Sequence, residues 1–426
     1  MVLRQMGRTI LMAGLLTMLC IASVSGPLTD STRMQLTDLP TFQAAAIALA
    51  HDENPYDHAV LVKTMTVPHG RFRIYPYVYT PLLAAMLGPV ASLSTAHLQT
   101  AWLLALCAAA GMLVTLSLRL LRESSFAGAR VAVWMASRPP WQELLLAVGI
   151  LVVMPFHTAF MNGQIEAVTA LGVVGTLLLL AHGRTIPAGI LFAAVLVTKH
   201  ASIVLVLYFV IRGEWRFIGI VAIAAVVMVL GSTFLIGVRP WLDFLAFVRT
   251  FDAATAASWN LPVDGSYNLS IPGLLSRMVI PASTAMKTLP LVLVLALGTV
   301  VWVFRRTLAG LTPALVYAAV ALSASLIMPY TWSHHTLYAL PGIVVLCVLP
   351  VTGRMTNAYR LLLPCAVALI FWSIPGMMID GHLRGLLGLT SAAPMATFVT
   401  TGMVGLTVLC IIVALRQQTS TIPLPS

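Results

Sequence analysis

Twelve stretches of this chain are almost purely apolar: residues 9–26, 97–121, 141–158, 165–182, 186–198, 200–211, 216–236, 288–304, 312–328, 335–350, 361–378 and 394–415. They are longer than the ~9–11 residues of a membrane β-strand, and several reach the ~20 residues of a helix that crosses a bilayer. Within lipid, only helices and closed barrels satisfy all of their own backbone polar groups. The pattern therefore predicts an all-α polytopic membrane protein with about 11–12 spans, organised as one domain over residues 1–426. Composition agrees, since 59% of residues are hydrophobic and 9% charged, whereas a soluble domain carries roughly 25% charged residues. Cys20, Cys107, Cys347, Cys365 and Cys410 all lie inside apolar runs without CxxC spacing. They suggest neither a zinc site nor a disulfide framework.

Charge sets the orientation. Arg4 and Arg8 place the N-terminus in the cytosol. The alternate loops then collect Arg119, Arg122, Arg130, Arg138, Arg184, Arg212, Arg216, Arg305, Arg306, Arg354, Arg360 and Arg416. These fourteen arginines face only Glu123, Glu143 and Glu214, so the whole net charge of +11 lies on that side. The other side is neutral when Lys199 and Glu166 are counted there. The basic character thus needs no nucleic acid to explain it. The first 26 residues read as a retained helix rather than a cleaved signal peptide, and either version leaves residue 30 outside the cytosol. Residues 186–211 form one helix or two. The charge bias favours two half-helices broken at Thr198-Lys199-His200. So does the cost of a lysine at the bilayer centre, at least ~2.5–3.5 kcal/mol.

Two long segments, 27–96 and 237–287, lie on the extracytoplasmic side. After Asp38 and Pro40, Phe42, Ala45, Ala46 and Leu49 recur at helical spacing, which suggests an amphipathic helix lying on the membrane. NPYD (54–57) marks a turn. Residues 79–94 form a second interfacial or re-entrant helix, and 237–287, rich in Trp, Asn, Asp and Pro, a lid-like loop.

Glu166 and Lys199 sit within or beside apolar runs, where ionisable groups are expensive and functional by default. Their alternative role is to pair and hold helices together. Asp38 is an extracytoplasmic acid just ahead of a helix, a candidate for chemistry whose alternative role is a helix cap or a solvated loop acid, and Asp30 competes with it. In PYTWSHHTLYALPG (329–342), His334 and His335 stand at a helix start beside Trp332. Adjacent helical side chains diverge by about 100°, so one imidazole is expected to line a cavity while the other packs. The pair lacks the i, i+3 or i, i+4 spacing of helical metal ligands, so no metal is expected.

TDLPTFQAAAIALAHDENPYD (37–57), followed by YPYVYTPLLAAMLGPVASL (75–93), resembles the first extracytoplasmic loop of the polyprenol-phosphate-mannose-dependent α-mannosyltransferases, glycosyltransferase family 87. Residues 162–216 resemble the family's central Gly-Gln hairpin with its arginine turn and lysine. SYNLSIPGLLSRM (266–278) resembles its Asn-x-Ser-x-x-Gly segment, and WSHH (332–335) its Ser-Trp-x-His-His segment. The likeness covers roughly residues 10–350. Departures are Leu39-Pro40 after Asp38, Glu166 in place of Asn, His200 beside the lysine, and Pro76-Tyr77 for Pro-Pro.

The resemblance implies a GT-C fold in the inner (plasma) membrane, with its active site on the extracytoplasmic side. It implies transfer of a hexose, mannose by analogy, from a polyprenyl-phosphate donor to a glycolipid or glycan acceptor, with inversion and without a cofactor. Asp38 would be the base; Lys199, His200, Arg71, Arg73, His334 and His335 would meet the donor phosphate; Tyr75, Gln164, Glu166 and Trp332 would meet sugar or acceptor. A phosphate leaving group needs no acid, whereas the acceptor hydroxyl needs a base. The competing classes are a transporter or flippase for an amphipathic anion, since broken helices and an intramembrane Lys/Glu pair occur there too, and a helper subunit without catalysis.

Overall fold

The computed structural model describes residues 38–65, 74–151, 154–259, 261–265, 268–349 and 393–419. The expected spans at 9–26 and 361–378, together with Asp30, Arg71 and Arg73, lie outside the described residues. Every regular element among the described residues is helical.

Among the described residues, four helices are long and apolar enough to cross a membrane: His97–Leu120, Trp215–Ile236, Thr284–Ala309 and Val399–Gln417. Two of them turn Ile223, Val226, Leu230, Phe234, Leu295, Val303 and Phe304 outward. So large an apolar surface is not stable in water, and it is the lipid-facing surface of a membrane protein. Shorter helices pack inside this shell. Glycines allow their close approach, as small residues do between membrane helices. A Cβ on Gly172 would collide with Val195, one on Gly189 with Ile220, and one on Gly342 with the Ala314 carbonyl.

Glu166–Ala181 and Thr185–Thr198 form an antiparallel pair that reverses at Gly183, whose φ of 72° suits glycine. The second helix stops at Lys199, which is extended (φ −131°, ψ 90°). A 3-10 turn, His200–Leu205, and the helix Val206–Arg212 then bring the chain back, so that Phe209 lies 5.1 Å from Phe192. Residues 186–211 are therefore two pieces, with Lys199 at the break.

The arginine-bearing turns share one end of the molecule. There Arg122 pairs with Glu143, His182 lies 3.7 Å from Glu123, Arg212 donates to the Ala309 carbonyl at 3.0 Å, and Thr312 bonds Gln417 at 2.6 Å. Asp38, Gln164, Lys199 and the 329–335 segment gather at the opposite end.

The helix Leu39–Ala50 corrects one expectation. It begins where the sequence suggests, with proline in its first turn, but it does not lie on the surface. Leu39, Phe42, Ala44, Ala45, Ala46 and Ala48 are all at most 2% exposed. Its alanines make it apolar on every face rather than amphipathic, and such a helix is buried. Pro81–Ala91 packs along it, and Gln43 Nε2 donates to the carbonyls of Ala91 (2.9 Å) and Leu93 (3.0 Å).

The segment 237–287 contains the helices Arg239–Thr250, Ala253–Ser258 and Ile271–Met278. Asn268 clips it to the 329–331 turn. Its Nδ2 donates to the carbonyls of Val263 and Pro329, each at 2.8 Å, and its Oδ1 accepts from the backbone N–H of Ser270 and Thr331. Ser270 Oγ caps the next helix through the Gly273 N–H at 3.0 Å. A Cβ on Gly273 would strike the Asn268 side chain. The Asn-x-Ser-x-x-Gly spacing is thus the geometry of one structural clip.

Candidate active site

A cavity of about 640 Å³ opens at the end opposite the arginine turns, within the usual range of about 300–1,000 Å³ for small-molecule sites. Among the parts of the chain that build its wall, three are pinned by hydrogen bonds. The first is the Tyr75–Thr80 strip, held by Thr41 (Tyr75 N–H to Oγ1, 3.0 Å), by Tyr56 (hydroxyl to the Tyr79 carbonyl, 2.9 Å) and by Thr80 (hydroxyl to the Val197 carbonyl, 2.5 Å). The second is the Asn162–Gln164 turn, where Gly163 has φ 67° and its carbonyl accepts from Trp102 Nε1 at 2.8 Å. The third is the 328–338 segment, tied back by Ser333 Oγ to Thr158 at 2.7 Å and by the Tyr317 hydroxyl to the Tyr338 carbonyl at 2.6 Å.

Asp38 occupies the N-cap position of Leu39–Ala50, yet its side chain caps no backbone N–H of that helix. Its carboxylate Oδ2 instead accepts from Gln164 Nε2. The Gln164 Oε1 accepts from the Tyr79 hydroxyl at 2.5 Å. The Asp38 backbone N–H donates to the Asn162 carbonyl at 2.9 Å, so backbone and side chain are held by the same turn. Across Tyr79, the Lys199 ammonium lies 5.4 Å from the ring centroid.

Lys199, freed by the break in its helix, hydrogen-bonds Glu166 Oε1. His334 Nε2 and His335 Nε2 face the same oxygen at 3.4 and 3.2 Å. His335 Nδ1 accepts the Trp332 backbone N–H at 3.3 Å, which puts the His335 proton on Nε2, facing the carboxylate. Trp332 stacks near His334, with 6.2 Å between ring centroids. Tyr338 bonds Thr169 Oγ1 (2.7 Å) and Ser202 Oγ (3.3 Å) beside this cluster. Ligand atoms of Glu166, His334 and His335 lie within 4.8 Å of one another, a spacing that suits a metal. The Lys199 ammonium, however, already meets the oxygen that both imidazoles face, so a divalent ion held there would compete with it.

Several expectations change here. The two histidines do not take separate roles: both line the cavity and both turn Nε2 to Glu166, from the 3-10 turn Ser333–Ala339. Glu166 is 0% exposed and is not part of the cavity lining. It stands behind the wall as the counter-charge of Lys199. Gln164 lines the cavity, but its amide is engaged by Asp38 and Tyr79. Tyr75, His200 and Trp332 line it as well, and the His200 ring packs edge-on against Phe244 at 5.5 Å. Sequence reasoning missed Tyr79, Tyr338, Arg249 and Lys287, which also line the cavity. The aromatic run YPYVYT and the basic residues of the 237–287 segment were the available signals.

Comparison with known proteins bears on the family of the chain. The sequence profile of glycosyltransferase family 87 matches residues 77–329. A polyprenol-phosphate-mannose-dependent α-(1-2)-phosphatidylinositol mannoside mannosyltransferase of Mycolicibacterium smegmatis is 26% identical over 319 residues, covering 70% of this chain and 67% of that protein. The protein of the same description from Mycobacterium tuberculosis is 25% identical over 350 residues, covering 79% and 75%.

Proposed function

Since the chain belongs to glycosyltransferase family 87 and is a membrane glycosyltransferase, we propose that it transfers a hexose, mannose, from a polyprenyl-phosphate donor to a glycolipid or glycan acceptor. The reaction takes place at the extracytoplasmic face of the inner membrane. The mannosyltransferase descriptions of its relatives support the donor, the sugar and a lipid-borne acceptor.

Asp38 removes the proton of an acceptor hydroxyl. That oxygen bonds to the anomeric carbon as the carbon–phosphate oxygen bond breaks, with inversion, and the electron pair leaves on the polyprenyl phosphate. Charge grows on the phosphate in the transition state, where fixed cations and N–H donors are worth most. Lys199 and the imidazoles of His334 and His335 serve there, with His200 at the rim. Trp332 and Tyr75 offer ring faces to the sugar. Arg71 and Arg73 remain candidates for the phosphate from the same loop.

The observation that carries this reading is one cavity lined both by a carboxylate that caps no helix N–H of its own and by a lysine, with Tyr79 reaching both arms. Purified protein supplied with polyprenyl-phosphate mannose and a glycolipid extract tests it. Asp38→Asn keeps shape and removes the base, so turnover should fall about 10²–10⁴-fold while donor binding persists. Near-normal turnover in Asp38→Asn would refute the base. Substrate translocation without transfer would favour a flippase.

A further inference from the structure

We propose that Gln164 and Tyr79 are positioning residues that aim and tune the Asp38 carboxylate, an inference that rests on Asp38 being the base. The direction of the Gln164 amide is fixed by its partners. Tyr79 donates its hydroxyl proton to Oε1, so Nε2 must face Asp38 Oδ2. The flipped amide would set an oxygen against a carboxylate. Tyr79 in turn cannot swing. Its ring meets Phe42 edge-on at 5.1 Å, its carbonyl is held by Tyr56, and it is 7% exposed. Gln164 is 9% exposed, on a turn pinned by Trp102. A general base must lie within about 2.6–3.2 Å of the proton it takes, and misplacement by about 1 Å can cost 10²-fold. A donor aimed at the carboxylate favours its ionised form. The relay therefore does two things: it fixes the rotation of the Asp38 side chain and keeps its carboxylate charged. Because Tyr79 also presents its ring to Lys199, the same side chain keeps the base and the phosphate arm in register.

The test is the pH dependence of kcat and KM for Gln164→Leu, Gln164→Glu and Tyr79→Phe in detergent-purified enzyme, with thermal melts alongside. Gln164→Leu should lower kcat about ten- to a hundredfold, leave both KM values within about threefold, and move the acid limb of the profile to higher pH. Gln164→Glu should move that limb further, because two adjacent carboxylates share a proton. Tyr79→Phe should move it the same way by less. If Gln164→Leu does not fold, Tyr79→Phe decides, since it removes one hydroxyl. An unmoved pH profile, or a raised KM at unchanged kcat, overturns the proposal and makes Gln164 a packing or sugar-contact residue. Loss of activity in Asp38→Asn beside a normal Gln164→Leu sinks the positioning role alone. An active Asp38→Asn sinks the base itself.

Discussion

Lys199 and Glu166 meet where neither sees much water, at 7% and 0% exposure. Removing one partner of such a pair leaves a lone buried charge, which costs about 3–5 kcal/mol. Lys199→Met and Glu166→Gln should each lower the melting temperature in detergent, and the double variant should melt above either single one. A double variant as unstable as the sum of the two would show that the ammonium and carboxylate act independently. The donor gives a second readout: loss of the Lys199 charge should weaken donor affinity or rate about ten- to a hundredfold, the effect of roughly 1.5–3 kcal/mol for a charged hydrogen bond, and the double variant should not restore it. A chelator should leave turnover unchanged, because Lys199 already supplies the positive charge that the Glu166 carboxylate would draw from a metal. Activity lost to chelator and regained with a divalent ion would make the cluster a metal centre. The sequence revealed Lys199, Glu166 and the histidines, because charged and imidazole groups are rare in apolar runs. It hid that Glu166 stands buried behind the cavity wall, and it hid Tyr79, whose hydroxyl partner lies 85 positions along the chain. Side-chain direction is set by packing, which no local pattern records.

The break at Lys199 and the Asn268 clip are legible in the sequence for different reasons. Lysine in a long apolar run is costly enough to imply a break, and the break is there. The Asn-x-Ser-x-x-Gly spacing signals a motif but not its purpose. It joins the 268–273 stretch to the turn just before Trp332, through the Leu269 N–H to the Thr331 carbonyl at 2.7 Å as well as through Asn268. Asn268 is 0% exposed, and Asn268→Ala would strip its bonds from the Val263 carbonyl and the Ser270 and Thr331 N–H groups, while the Pro329 carbonyl would keep the Ser270 hydroxyl at 3.2 Å. Each buried polar group left unpaired costs about 1–3 kcal/mol. The variant should therefore melt earlier and lose turnover, with trypsin cutting faster within 237–287. Unchanged melting and proteolysis would mean that the clip contributes nothing to holding this segment. The helix Leu39–Ala50 was misjudged for a related reason: an alanine-rich helix exposes no distinct polar face, and its burial depends on the approach of Pro81–Ala91.

Counting lysines and arginines divided the loops into two sets, and the fold gathers the described members of the arginine set at one end, away from the cavity. Positive charge near a span resists translocation, which is why such a count carries information about topology. Depth and tilt are absent from such a count, because packing between helices sets them. The division makes a prediction about the whole molecule in its membrane. Asp57, Asp264, Arg130, Arg184 and Arg306 are all exposed. With single cysteines placed at these positions on an otherwise cysteine-free chain, a membrane-impermeant maleimide added to intact cells should label 57 and 264. Positions 130, 184 and 306 should react only after the membrane is opened. The decisive pair is 184 and 212. The chain returns at Lys199, with Phe209 against Phe192, so both arginines should report the same side. Labelling of 184 and 212 from opposite faces would make 186–211 a single crossing. It would invert every later loop and set the histidine turn, 333–335, on the side away from Asp38. A donor whose lipid tail stays in one leaflet could not then meet base and phosphate ligands together, and the proposed transfer would fail with the topology.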